Sequence, residues 1–541
     1  MFCGKDNVVD GLCETHDRMF LIVRKIVFYE IRNKYYVVNP YKNFNLLYIN
    51  ILTLLKFAYV YRVLYLCIVK PCSSDMYKSP STSRQASLFW DLETMLDPKH
   101  PLFILANMID WASFEKAFSS LFCADNGRPP KPIRLMTGLL VLKHLRNVSD
   151  EQVVGQFSEN AYYQYFCGMD AFSISAPCAS SELVHFRKRI GEKGVELILK
   201  ESIRVCVAQE DKRKEEDDRK NGKDGRGRKS DKEQTAFIDT TVQEKNVTFP
   251  TDSKLLNKII GYCHKAAKAE GVKVRQSYVR EIKGLKLTQR FRGKAHSKKK
   301  VAKADRRMKT IAGRLVRELL RKLPSESAFR KRLELSLKFV KGEQIDGHKR
   351  YSLHEPDVLC ISKGKEHKRY EFGNKVSILR LWNGIIVGAL SFRNEYDGHT
   401  IDRSLEQTER IYGREIKIAA GDRGYRGKRM SGETKIVIPE VPKPSDSAYA
   451  KARKHELFRK RAGIEPVIGH CKDDHRLGRN FYKGLFGDSI NVMLAAAAFN
   501  FKRVLRILLR LICWWIQWSK SAFGGGIAVS QNLACAYVRT F

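Results

Sequence analysis

Beyond residue 90 the apolar side chains recur at helical spacing. Trp111, Phe114, Phe118 and Phe122 form one stripe, and Leu135, Leu139, Leu142 and Leu145 form another. Pro129, Pro130 and Pro132 punctuate the two. Ser149 followed by Gln152 predicts a capping box that opens the next helix. Ser180 or Ser181 is placed to cap a further helix carrying His185, Arg187, Lys188 and Arg189. Residues 95–205 therefore read as mostly helical. Short helices ending in a basic one predict a helix-turn-helix-like DNA module, and the plainer reading is an ordinary solvated helix face.

The pattern then changes to short apolar runs. Thr235 to Ile238 ends on Asp239, and Val242, Val247, Phe249 and Pro250 predict a short hairpin-like unit. Residues 253–340 turn helical. Strand-like runs return at Asp357 to Ile361, Tyr370 to Leu381, Ile385 to Phe392, Ile416 to Ala420 and Ile436 to Ile438. From Ala450 to about Leu511 the chain reads as helical, with an apolar face at Met493, Leu494, Ala497, Phe501, Leu505 and Leu508. Strands flanked by helices predict an α/β core.

Charge sharpens this picture. The 541 residues carry 99 Lys or Arg against 59 Asp or Glu, a net charge of +40, which points to a polyanionic partner, nucleic acid first. Between Lys273 and Arg332 there are 22 basic and four acidic residues, so nearly half of the surplus lies in that one helical stretch. Residues 211–233 hold ten basic and eight acidic side chains and read as a solvated linker. Thirteen cysteines from Cys3 to Cys535 form no CxxC pair, which argues against a zinc ribbon and favours reduced thiols in a cytoplasm. The stretch Leu46 to Val69 is apolar, but Lys56 and Arg62 interrupt it, so no stable membrane partner is expected. Residues 1–75 differ in style from the rest of the chain and read as an atypical extension before Met76.

Three carboxylates stand out. Asp239 and Asp422 each end an apolar run, where an unpaired acid is costly and needs a salt bridge or a metal. Asp422 opens Asp422-Arg423-Gly424-Tyr425-Arg426-Gly427, a glycine-bracketed turn that would let backbone approach a ligand. Glu465 has Arg461 four residues before it and Lys472 seven after, all on one face of a helix whose start Gly463 and Pro466 make irregular. Asp397 and Asp402, flanking His399, form a competing acidic cluster in a polar, turn-rich stretch.

These residues resemble bacterial insertion-sequence transposases with a DDE active site. That family carries its third acid in a signature of Tyr, two spacers, Arg, three spacers, Glu, six spacers, Lys; Phe458, Arg461, Glu465 and Lys472 keep the spacing, with Phe for Tyr. Phe237-Ile238-Asp239-Thr240-Thr241 resembles the first-acid strand, and the segment from Asp422 to Gly427 the second. Residues Arg128 to Arg189 resemble the helical N-terminal domain of one branch, where Tyr370 to Lys375 and Asn394 to Thr400 are also familiar.

The resemblance implies an RNase H-like mixed sheet with the aspartates on its first and fourth strands and Glu465 on a helix beside them. From Asp239 to Asp422 is 183 residues, more than a bare core needs, so the basic helices read as an insertion at about 253–345. The implied organisation is an extension over 1–75, a helical DNA-binding domain over 76–210 and a linker over 211–234. A catalytic domain over 235–510 and a tail over 511–541 complete it. Asp239, Asp422 and Glu465 would be catalytic and hold two Mg²⁺ (or Mn²⁺) ions. Arg461, Lys472, Arg423, Tyr425, Arg187, Lys188 and Arg189 would contact DNA. The expected partners are double-stranded DNA, as terminal inverted repeats and target, and a second copy in a homodimer or larger synaptic complex. The expected location is cytoplasmic and nucleoid-associated. A silent DNA-binding relative and a simple DNA nuclease are the rival readings.

Overall fold

The computed structural model of the chain describes residues 91–122, 130–221, 234–344, 347–362, 368–393, 395–425, 427 and 429–522. The extension over 1–75, the stretch Leu46 to Val69, Asn394, Arg426 and the tail beyond residue 522 lie outside the described residues. Among the described residues no helix is long and apolar enough to cross a membrane.

The N-terminal part is a layer of helices: α1 (Leu92–Met95), α2 (Pro101–Met108), α3 (Trp111–Ser119), α4 (Ile133–Leu145), α5 (Asp150–Glu159), α6 (Ala161–Phe166) and α7 (Ser180–Asn221). The Ser149–Gln152 capping box is present in both of its hydrogen bonds. Ser180 is the first helical residue of α7 rather than its cap, and α7 kinks at Gly191, whose φ of 67° suits glycine. This helix runs on through Asn221, so the first half of the stretch read as linker is helical. Its charges alternate in sign at helical spacing, which supports a solvated helix as readily as a coil.

β1 (Thr235–Lys245) is one uninterrupted strand, not the first arm of a hairpin. Its Thr-Thr-Val centre is β-branched and holds no turn residue, so the strand continues. The insertion comes next as α8 (Asp252–Ala269), α9 (Val279–Gln289), α10 (Lys298–Lys322) and α11 (Arg330–Lys341). It has its own buried core, in which Leu256, Ile260, Met308, Leu315, Leu319 and Leu333 pack together. α10 is strongly amphipathic: Met308, Ile311, Leu315 and Leu319 face that core, and lysines and arginines cover the opposite side.

The remaining elements are β2 (Leu359–Ser362), β3 (Tyr370–Leu381), β4 (Ile386–Phe392), α12 (Ile401–Tyr412), β5 (Ile418–Ala420), β6 (Met430–Ser431), β7 (Thr434–Val437), α13 (Ala448–Ala462), α14 (Ile464–Asp474), β8 (Arg479–Asn480) and α15 (Gly484–Ala522). One mixed sheet runs β2-β3-β1-β5-β7-β6, with β4 also on β3 and β8 also on β1. β1 is central: β3 is antiparallel to it from Ala236 to Glu244, and β5 is parallel to it over Thr235 to Phe237. The short strand β2 comes before β3 in the chain, so the strand that leads to Asp422 is the fifth rather than the fourth.

The N-terminal helices and the sheet share one hydrophobic core. Leu142, Leu183 and Leu199 belong to the same buried cluster as Phe237, Ile386, Met493 and Leu505. Asn500 of α15 pins the layers together: its amide accepts the Ile386 N–H at 3.0 Å, donates to the Ile386 carbonyl at 2.8 Å and donates to Ser202 of α7 at 3.1 Å. A fully buried amide with all of these partners specifies one alignment of α7, α15 and β4.

Candidate active site

The parallel pairing of β1 and β5 ends at Phe237–Ala420, and Asp239 and Asp422 each stand two residues farther on. Both acids thus stand at the same level just past the β1–β5 pairing, Asp239 within β1 opposite Ile378 of β3 and Asp422 beyond the end of β5, so the strand does not stop at the first acid as its apolar run suggests. Asp239 is mostly buried, with 14% of its side chain exposed, and accepts the Thr240 N–H at 2.8 Å. Asp422 accepts the Gly424 N–H at 2.9 Å. The chain turns at Gly421, where a Cβ would lie 2.7 Å from the Tyr425 ring. This glycine therefore admits Tyr425, not a ligand.

Arg461 and Glu465 do not share a helix. α13 ends and α14 begins at Gly463, so Arg461 is in a last turn and Glu465 in a first turn. They still meet. Arg461 Nη1 lies 3.6 Å from Glu465 Oε1, while its Nη2 lies 3.7 Å from Asp239 Oδ2 and 3.9 Å from Asp422 Oδ2. One guanidinium thus stands among three carboxylates, at ion-pair distance from each and beyond hydrogen-bond reach of all. Its Nε is buried without a hydrogen-bond partner among the described residues. Arg461 is shared by all three acids, whose oxygens are hard donors that suit Mg²⁺ or Mn²⁺. Among the described residues no three His, Cys, Asp or Glu side chains are grouped to hold an ion as they stand. The acids fit such a group by chemistry and convergence, with Arg461 now among them.

The other sequence-predicted DNA ligands divide. Arg423, Lys188 and Arg189 are exposed, and Arg189 lies over the Phe122 ring at 4.7 Å. Lys472 is half-buried, two turns beyond Glu465 on α14. Phe458, in the place of the signature tyrosine, is exposed on α13.

Two expectations are overturned. Tyr425 is 1% exposed and cannot stack on a base. Burial, then the charges of Asp397, Asp239 and Asp422, push its phenol far above the usual range, and its hydroxyl faces Ser377 without meeting hydrogen-bond geometry. Arg187 is 5% exposed and grips Asp150 through two bonds of 2.8 and 2.9 Å while lying 4.4 Å over the Tyr482 ring. Lys143 adds a third bond to Asp150 at 2.9 Å. Burial alone would raise the Asp150 carboxyl; Arg187 and Lys143 overcome it and hold the group below the carboxylate range. A signal for this exists in the chain: Arg187 stands four residues after Leu183, on the stripe shared with Phe186 and Ile190.

Asp397 and Asp402 do not form a cluster. Asp402 accepts the Ser431 hydroxyl, whereas Asp397 turns toward β1 and β3, where Thr240 and Lys375 bind it.

Comparison with known proteins bears on this geometry. Residues 90–189 match the family described as Transposase domain (DUF772), and residues 345–501 match the family described as Transposase DDE domain. The second match contains Asp422, Arg461 and Glu465; Asp239 lies upstream of it, before the insertion. The chain is 38% identical over 224 residues to the uncharacterized protein ORF8 in the nfe locus of Rhizobium meliloti, covering 99% of that protein and 41% of this chain. No solved structure matches the chain.

Proposed function

The chain belongs to the insertion-sequence DDE transposases, enzymes of DNA phosphoryl transfer that use divalent metal ions, and we propose that it cuts the ends of its element and joins them to target DNA with Asp239, Asp422 and Glu465 as its catalytic acids. The observation that carries this reading is the convergence of all three acids on Arg461. The strand order around β1 supports an RNase H-like core.

On this reading the three carboxylates hold two ions, Mg²⁺ or Mn²⁺, which would neutralise phosphate charge and activate the attacking oxygen. Arg461, a fork already beside the acids, binds a phosphate of the strand being cut. Lys472 and the exposed Arg423 hold neighbouring phosphates. Water displaces one DNA oxygen at the element end and leaves a 3′-hydroxyl. That hydroxyl then displaces an oxygen in the target strand. Both steps are in-line displacements at phosphorus, so one set of side chains serves both. Lys188 and Arg189 lie on the N-terminal layer, where terminal repeats would dock. Two ends must be held together, so the working form is at least a homodimer, in a cytoplasmic, nucleoid-associated setting.

The test is a Mg²⁺-dependent cleavage and joining assay on duplexes ending in the element's own terminal repeats, with Glu465→Gln beside the wild type. Joined products from the wild type alone support the reading. Nicks without joining would make it a nuclease, and DNA binding with neither product would make it a silent relative.

A further inference from the structure

Asp397 is a fourth carboxylate beside the site, and the three-acid reading gives it no part. Its Oδ2 accepts the Thr240 hydroxyl at 2.9 Å, and its Oδ1 meets the Lys375 ammonium at 2.8 Å. Thr240 is next to Asp239 on β1, and Lys375 stands opposite Val242 on β3. Asp397 itself begins the 3₁₀ turn Asp397–Thr400 between β4 and α12. One carboxylate thus ties two adjacent strands to a turn from a third region of the chain.

That turn packs against the one that carries Asp422. A Cβ on Gly424 would lie 2.9 Å from Asp422 Oδ1 and 3.6 Å from Asp397 Oδ2, so the two oxygens lie within the sum of those distances, about 6.5 Å. Carboxylates this close repel unless one is neutralised. Lys375 neutralises Asp397, and the Thr240 hydroxyl fixes its direction, while Asp422 Oδ2 lies toward Arg461.

We propose that Asp397 is a positioning residue for the divalent-ion site: bonded to Thr240 and Lys375, it fixes its own turn, against which the Asp422 turn packs, to the middle of β1 and so sets the spacing of the Asp239 and Asp422 carboxylates. This rests on the reading of those acids as ion ligands. Removing the Asp397 charge has two effects of the same sign. The turn that packs against that of Asp422 loses its bonds to β1 and β3, and the Lys375 ammonium is released beside the acids, where it competes with a divalent ion.

The experiment is a Mn²⁺ titration of the full chain, read by the paramagnetic resonance signal of the free ion, with thermal unfolding of each variant alongside. Asp397→Asn should weaken Mn²⁺ binding about 10- to 100-fold, the range for groups that orient ligands, with little change in melting temperature. Asp422→Asn is the reference, and Asp402→Asn, in the same segment but bonded to Ser431, should bind as the wild type does. Loss in Asp422→Asn with wild-type binding in Asp397→Asn overturns the positioning role alone. Wild-type binding in both overturns the ion-ligand reading and this proposal with it. Equal loss in Asp397→Asn and Asp402→Asn also overturns it, since the effect would then belong to the segment. If Asp397→Asn does not fold, Thr240→Val carries the test, and wild-type Mn²⁺ affinity there overturns the proposal.

Discussion

Arg461 Nη2 lies 3.7 Å from Asp239 Oδ2, although 222 residues separate the two in sequence. On the proposed function the guanidinium stands on ground that a divalent ion would need to share, so it would serve both as a phosphate ligand and as a competing cation. Arg461→Gln should therefore tighten Mn²⁺ binding about two- to fivefold, the weight of one partly exposed ion pair of about 0.5–1 kcal/mol, while lowering DNA cleavage. Weaker Mn²⁺ binding in this variant would mean that Arg461 organises the acids rather than competing for them.

Tyr425 supplies a test of packing against recognition. Its hydroxyl makes no hydrogen bond among the described residues, so Tyr425→Phe should change stability by less than about 1 kcal/mol in urea unfolding. Tyr425→Ala should cost about 3–5 kcal/mol, as for other large buried rings. A Tyr425→Ala protein with wild-type stability and impaired DNA binding would restore the recognition role.

Arg187 and its neighbours on α7 should separate cleanly. Arg187→Ala strands Asp150 with Lys143 alone and should cost about 3 kcal/mol or more in unfolding free energy. Replacing Lys188 and Arg189 together by alanine should leave stability within about 0.5 kcal/mol and weaken binding to duplex DNA. If Arg187→Ala matches the double variant in both measurements, the buried ion pair is not what holds α7 to α5.

Stability should also fall in mild acid. Burial lowers His475 to about 4, and its Nδ1 pairs with the His144 carbonyl at 3.0 Å; burial lowers His100 to about 4 as well. The unfolded chain takes up protons on these groups from about pH 6.5 downward, and the folded chain does so only near pH 4. Stability is therefore present above about pH 6.5 and lost as the pH falls to about 4, by on the order of 3 kcal/mol for His475. Urea midpoints measured across that range should drop less steeply in His475→Gln; parallel curves would exclude His475 as a source.

The cations on the solvent face of α10 should account for part of the salt dependence of DNA binding. Lys299, Lys303, Arg306, Arg314, Arg317 and Arg321 lie along one stripe at helical spacing. Replacing them with glutamine should flatten the log–log salt slope by up to about 0.9 for each phosphate no longer neutralised. An unchanged slope would remove this face from the DNA path.

Much of this arrangement is legible in the chain. Asp239 and Asp422 stand out because an apolar run that ends on an acid is costly unless the acid has a task or a partner, and both do stand at one level, just past the β1–β5 pairing. The run Tyr370 to Leu381 forms the expected strand because its second half puts Val376, Ile378, Leu379 and Leu381 in the core. What the chain does not reveal is tertiary in origin. The spacing of Arg461 and Glu465 fits a continuous helix, yet the helix breaks at Gly463 and the pair meets across the joint. Asp397 reads as one acid in a polar loop because its partners, Thr240 and Lys375, lie 157 and 22 residues away. Arg187 and Tyr425 resemble ligand-binding groups by residue type, whereas their surroundings place them inside.

Asn500 has a mechanical consequence. By joining α7 at Ser202 to α15 and β4 in one buried knot, it fixes the part of α7 after the Gly191 kink against the sheet. On the proposed function, torque from DNA held at Lys188 and Arg189 would cross that kink before it reached β4 and its neighbour β3, the strand that bears Lys375. On the same reading, any swing between cutting one strand and joining it to another would then fall to that kink, to the DNA itself or to a second copy, while the sheet side of the joint stays set.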